Sequence, residues 1–179
     1  MCFAVILQIS EPQRKILIDV FHQVKSNLLA LNMPPHITLA VFDEVDVQRL
    51  NCAVEQFFRS TKPLEVYVSS IGMFPSEQPA VYVQPVVNSE LLNMHRRFHT
   101  ELGDLIDQCW DYYKPDCWVP HLTLGTTDSL SAALDIISVA YNAKLCGSYL
   151  LNEISLIEFH PVKVISTYAM NHAIDTSMV

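Results

Sequence analysis

Two copies of one five-residue stretch constrain this chain most: Pro35-His36-Ile37-Thr38-Leu39 and Pro120-His121-Leu122-Thr123-Leu124. Both read Pro-His-x-Thr-Leu, and their histidines lie 85 residues apart. The 179-residue chain holds only 7 His and 10 Pro. A shuffled chain of the same composition would contain about 0.002 copies of the pattern. Two copies therefore indicate a duplication rather than a coincidence.

Alternate residues of a β-strand share a face. Each motif thus presents its His and Thr on one side, while Ile37 and Leu39, or Leu122 and Leu124, point to the core. Proline is tolerated at the first residue of a strand, where a missing N–H leaves no ladder bond unmade. Two such strands facing each other would set two imidazoles and two hydroxyls around one cleft.

The rest of the sequence repeats around that pair. Cys2–Ile9 is a continuous apolar run and reads as a buried strand. Ser10 is a candidate helix cap, and Ile16, Leu17, Val20, Phe21, Val24 and Leu28 then form a 3.6-residue stripe that must end before Pro34. Asp46 can cap the next helix, with Leu50, Val54, Phe57 and Phe58 inward. Strand-like runs follow at Leu64–Ile71 and Ala80–Val86, with a turn-rich Gly72–Pro79 between them. Asn88 or Ser89 opens a third helix, whose stripe runs from Leu91 to Cys109. Trp110–Trp118 reads as an aromatic loop. The second motif strand, a helix from Ser129, and strands at Tyr149–Phe159 and Val162–Ala169 complete the chain, with a frayed tail after Asn171. The order helix, motif strand, helix, strand, strand thus occurs twice. The expected fold is α+β: one domain of two pseudo-symmetric lobes, about 1–87 and 88–171, with two antiparallel sheets, helices on the outer faces and a central cleft.

Composition narrows the function. No run of about 18 apolar residues is present, so no membrane span is expected. The apolar start lacks a basic n-region and reads as a strand, not a signal peptide. Five Cys without a C-x-x-C spacing suggest free thiols and a cytoplasmic protein. A net charge of −8 argues against a partner that is long nucleic acid and favours a nucleotide or short RNA end. Four Gly and no G-x-G-x-x-G disfavour a glycine-rich phosphate loop.

An imidazole titrates near neutrality and serves as acid or base. Two of them on opposite sides of a phosphorus suit in-line phosphoryl transfer, and the two Thr hydroxyls can bond the charged non-bridging oxygens. The motifs contain no Asp, Glu or Cys that would complete a metal site, so neither a metal nor another cofactor is expected.

Two His-x-Thr-Leu motifs at this separation, in a duplicated α/β chain that also carries Gly72-Met73-Phe74-Pro75, resemble the 2H phosphoesterase superfamily. The 2′-5′ RNA ligase-like and 2′,3′-cyclic phosphodiesterase branch is the most similar. The resemblance implies a bilobal fold with a central cleft and metal-independent phosphodiester hydrolysis or its reverse. It implies that His36 and His121 are catalytic and that Thr38 and Thr123 bind phosphate, with His121 favoured as base and His36 as acid. The chain departs from many members of the family where Ala40-Val41-Phe42-Asp43 replaces a Phe-Leu-Gly-like continuation and where Gly125-Thr126-Thr127 lacks the basic residue found shortly after the second motif. A binding module that recognises nucleotides or RNA ends without turnover is the alternative on the same fold.

Tyr82 and Trp118 are candidates to stack on a base; Tyr113, which with Trp118 flanks the second motif, could likewise cover one. His95 and His99 stand i, i+4 on a helix, a spacing that metals use, though no third ligand accompanies them. His160, before Pro161, reads as a turn residue. A monomer is expected. The sequence leaves open the natural substrate and the direction of reaction.

Overall fold

The computed structural model describes residues 2–159 and 161–170. His160 and the tail from 171 lie outside them. Seven strands form one antiparallel sheet: β1 (Cys2–Ile9), β2 (His36–Phe42), β3 (Leu64–Phe74), β4 (Ala80–Pro85), β5 (Leu122–Thr126), β6 (Gly147–Phe159) and β7 (Lys163–Ala169). Among the described residues, five α-helices accompany them: α1 (Gln13–Gln23), α2 (Asn27–Ala30), α3 (Val47–Arg59), α4 (Ser89–Leu102) and α5 (Leu130–Asn142). The strand order is β2-β1-β6-β3-β4-β5, with β7 on the remaining edge of β6. None of the helices among the described residues is long and apolar enough to cross a membrane.

The α+β class with antiparallel strands and helices is as expected. The two sheets, however, are joined. The long strand β6 pairs through Leu151–Phe159 with β1 and through Gly147–Leu151 with β3. Interchanging the halves of the chain preserves the pairing: β1 lies between β2 and β6, and β4 lies between β5 and β3. Taking β1–β3 and β4–β6 as the two repeated units, each lends its third strand to the other's sheet, through the β3–β4 and β1–β6 ladders.

Alternation sorts the side chains. Val5, Leu7, Ile37, Leu39, Val81, Val83, Leu122 and Leu124 join the buried faces of the helices in a single core. His36, Thr38, His121 and Thr123 fall on the other face.

Several local expectations change. The first helical stretch is broken: Lys25 adopts φ 51°, and the Ser26 side chain caps α2 by accepting from Leu28 N. Ser10 does not cap α1 with its side chain; its carbonyl accepts from Arg14 N at 3.0 Å. Asp46 and Asn88 cap α3 and α4 as expected. Helix α4 stops at Leu102 because Gly103 turns at φ 56°, and Cys109 instead bridges to Phe42. Gly72, Met73 and Phe74 belong to strand β3, so the loop is only Pro75–Pro79.

Candidate active site

Each motif strand carries the same irregularity at the same place. On β1 the register steps from Val5↔Ala40 to Ile6↔Thr38, leaving Leu39 unmatched. On β4 it steps from Val81↔Gly125 to Tyr82↔Thr123, leaving Leu124 unmatched. The motif leucine is thus the extra residue of a β-bulge, a device that re-aims neighbouring side chains. The strands opposite the motifs match as well: Ala4-Val5-Ile6-Leu7-Gln8 and Ala80-Val81-Tyr82-Val83-Gln84 share Ala-Val-x-aliphatic-Gln. That second repeat has a separation of 76 residues, so an 85-residue comparison passes over it.

The two imidazoles are held identically. His36 Nδ1 lies 2.7 Å from the Pro34 carbonyl, and His121 Nδ1 lies 2.7 Å from the Val119 carbonyl. A carbonyl only accepts, so each Nδ1–H donates. Nε2 is then the free nitrogen of each neutral ring, and it has no partner among the described residues. The bonds arise from the Pro-His dipeptide, because the residue before each proline supplies the acceptor two positions back. The Thr38 and Thr123 hydroxyls, half-buried, likewise have no hydrogen-bond partner among the described residues.

Although β2 and β5 end the strand order, they lie in contact. Burial lowers the pKa of both histidines, against the opposing effect of each backbone bond. His36 is lowered to about 4, and the His121 charge is one of the causes, so the rings sense each other.

Trp118 ties the motifs together. Its Nε1–H donates to the Thr38 carbonyl at 2.9 Å, and its ring stacks on His95 at 3.9 Å and 3°. Only 8% of Trp118 is exposed. One face of the ring is covered by His95, which corrects its reading as a base-stacking residue: it anchors the approach to the second motif onto the first. His95 and His99 are also structural. Their Nε2 atoms each lie 3.3 Å from the carbonyl of the bulge residue Leu39. Among the described residues, no three His, Cys, Asp or Glu side chains converge on a point that could hold a metal.

Tyr82 is also buried, with 8% exposed. Its ring lies over Gly72, where an added Cβ would sit 2.5 Å from ring carbons. It packs 4.4 Å from Phe74 and 5.4 Å from His121. Tyr82 therefore forms the wall behind His121 rather than a free stacking surface. The half-buried Phe74 meets His121 edge-on at 4.9 Å and was missed from sequence. The Gly-x-Phe spacing carries the signal, since Gly72 and Phe74 alternate onto the face that Tyr82 occupies.

The buried His95 and His99 and the half-buried His36 and His121 make stability pH-dependent. His36, His95, His99 and His121 all have lowered folded pKa values, His95 at about 3, with desolvation the first cause. Between those values and 6.5 the unfolded chain binds more protons, so stability is full above pH 6.5 and falls as the pH drops toward 4. Urea unfolding at pH 7 and pH 5 should show a lower midpoint at pH 5. Equal midpoints would contradict this burial.

A family model for the 2′-5′ RNA ligase superfamily matches residues 12–162. No curated protein sequence gives a significant match. Among solved structures, TT0787 of Thermus thermophilus superposes with TM-score 0.64 at 15% identity, covering 95% of this chain and 98% of that one. E. coli LigT in complex with 3′-AMP superposes with TM-score 0.62 at 14% identity and the same coverage. At such identities these likenesses establish the fold.

Proposed function

The chain belongs to the 2′-5′ RNA ligase superfamily of 2H phosphoesterases, and from that premise we propose that it is a metal-independent phosphodiesterase. Its substrate class is a 2′,3′-cyclic phosphate or 2′-5′ phosphodiester of a nucleotide or short RNA. The observation that carries this reading is the matched Nδ1–H to carbonyl bond of His36 and His121. It gives two equivalent rings, each with Nε2 free, beside two unpartnered threonine hydroxyls. A same-fold relative crystallised with 3′-AMP fits a nucleotide ligand.

With a 2′,3′-cyclic phosphate, one neutral Nε2 takes a proton from water as the water oxygen bonds to phosphorus. The bond from phosphorus to the 3′ oxygen breaks, and that oxygen receives a proton from Nε2–H of the other ring. The product is a 2′-phosphate, and one further proton exchange resets the pair. Thr38 and Thr123 donate to the non-bridging oxygens. Resemblance favours His121 as the base. Burial holds both rings toward the neutral form, His36 down to about 4 with the His121 charge among the causes, so the single proton of the active form belongs to the pair.

Hydrolysis of a 2′,3′-cyclic mononucleotide, followed by product chromatography, tests this reading. Activity should persist in excess EDTA, with the 2′-phosphate as product. Loss of activity in EDTA and recovery with a divalent ion would replace the two-histidine mechanism with metal catalysis.

A further inference from the structure

The site is symmetric at its histidines and threonines but not one layer out. Gln8 is the cross-strand partner of His36 and shares its face. The Gln8 side chain, 6% exposed, is bonded at both ends. Its Nε2 donates to Ser155 Oγ at 2.7 Å, and its Oε1 accepts from Arg14 Nη2 at 3.2 Å. Ser155, 0% exposed, continues to Thr167 Oγ1 at 2.7 Å. Ser155 opposes Ile6 and Thr167 opposes Ser155, so the whole chain runs across the face that bears His36 and Thr38.

Arg14 ends this chain as a half-buried guanidinium. Arg49, Arg59 and Arg96 are each paired with a carboxylate, and Arg97 bonds Ser60. Arg14 has no carboxylate partner among the described residues. Glu153 lies opposite Gln8 on the same face but forms no ion pair with Arg14.

The corresponding positions of the other half are different. Gln84 matches Gln8, yet its side chain makes no hydrogen bond among the described residues. Gly72 occupies the place of Ser155, and the Tyr82 ring fills the space above it. Arg14 is the second residue of α1, six positions after Gln8. The second residue of α4, six positions after Gln84, is the exposed Glu90. One wall is thus polar and cationic beside His36, and the other is aromatic beside His121, where Phe74 and Tyr82 stand.

We propose that Arg14, held by Gln8, which Ser155 holds in turn, is a second anion-binding group on the face that bears His36 and takes a substrate phosphate other than the reacting one. The substrate class is then a nucleotide with two phosphate groups or a short oligonucleotide, with its base toward the Phe74 wall and its second phosphate toward Arg14. This rests on the phosphodiesterase reading, but its binding arm can be tested without turnover. A guanidinium already fixed by a neutral amide keeps its charge for a ligand and has little ordering left to lose.

The test is calorimetric binding of adenosine 2′,5′-bisphosphate and adenosine 2′-monophosphate to the wild-type chain, Arg14→Gln and Gln8→Leu. The wild type should bind the bisphosphate about 10-fold tighter or more, in line with one charge-assisted contact. Arg14→Gln should remove that preference and leave monophosphate affinity unchanged. Gln8→Leu should reduce the preference, because Arg14 loses its support. Parallel assays would use an adenosine 2′,3′-cyclic phosphate with and without a 5′-phosphate. Arg14-dependent binding without any turnover would uphold the anion site and sink the phosphodiesterase reading. Turnover without preference for a second phosphate would overturn the anion site alone. Equal weakening of both ligands by Arg14→Gln, with the fold intact by circular dichroism, would also overturn it.

Discussion

Replacing either His36 or His121 by Ala should reduce turnover of a 2′,3′-cyclic nucleotide by at least about 10²-fold, the lower end for losing a general acid or base. The reason lies in the shared geometry. Each ring offers a single free nitrogen, because Nδ1 is committed to a backbone carbonyl. On the proposed mechanism, removing one ring removes one of the two proton transfers. The double variant should lose far less than the product of the single losses, because a base without its acid contributes little. Neither substitution should unfold the protein: both rings are half-buried and their neutral forms give up only one backbone bond each. Steady-state rates of the three variants, with folding checked by circular dichroism, decide the matter. A single variant with the wild-type rate would remove that histidine from the mechanism.

Trp118 should show the second large effect, through structure. Trp118→Ala empties a buried aromatic site and should cost about 3–5 kcal/mol of stability. Trp118→Phe is the sharper probe. It keeps a ring against His95 but removes the N–H that reaches the Thr38 carbonyl. The loss of one neutral hydrogen bond should cost about 1 kcal/mol in stability. Turnover should fall by more than that folding loss explains, since the bond fixes Thr38 relative to the segment leading into His121. Urea unfolding and kcat measured on the same preparation separate the two. If Trp118→Phe lowers stability but leaves kcat at the wild-type value, the tie between the motifs has no part in catalysis.

The motif pair was legible because its chemistry is local. Pro-His-x-Thr-Leu states the face and the strand start within five residues, whereas the Nδ1 acceptor lies one residue before the motif and was not read from it. The α3 stripe and the caps Asp46 and Asn88 were legible for the same reason, whereas the stripes of α1 and α4 were drawn past their ends. What escaped depends on pairing across the sheet. The joining of two sheets through β6 requires one strand to change partners at Leu151, which no periodicity announces. The bulges at Leu39 and Leu124 occupy positions that alternation alone assigns to regular strand. Trp118 and Tyr82 invited a ligand-stacking role because aromatic residues near a motif read alike whether their faces are open or covered. Only the partners, His95 in one case and Gly72 with Phe74 in the other, distinguish the two. Arg14 was invisible because its significance comes from Gln8, which is set beside His36 by the β1–β2 register.

The pH dependence of kcat/KM for a 2′,3′-cyclic nucleotide, measured in EDTA, tests the paired-histidine claim most directly. On the proposed mechanism the active form carries one proton on the pair, so the profile should be a bell whose two limbs belong to the pair jointly. Because burial lowers both free-enzyme values, with His36 at about 4, the optimum should lie between about 4 and 6.5. An anionic phosphate stabilises the protonated ring, so the bell for kcat should sit at higher pH than the bell for kcat/KM. A kcat/KM that rises through neutrality along a single limb, with no acid-requiring fall, would contradict acid–base catalysis by His36 and His121.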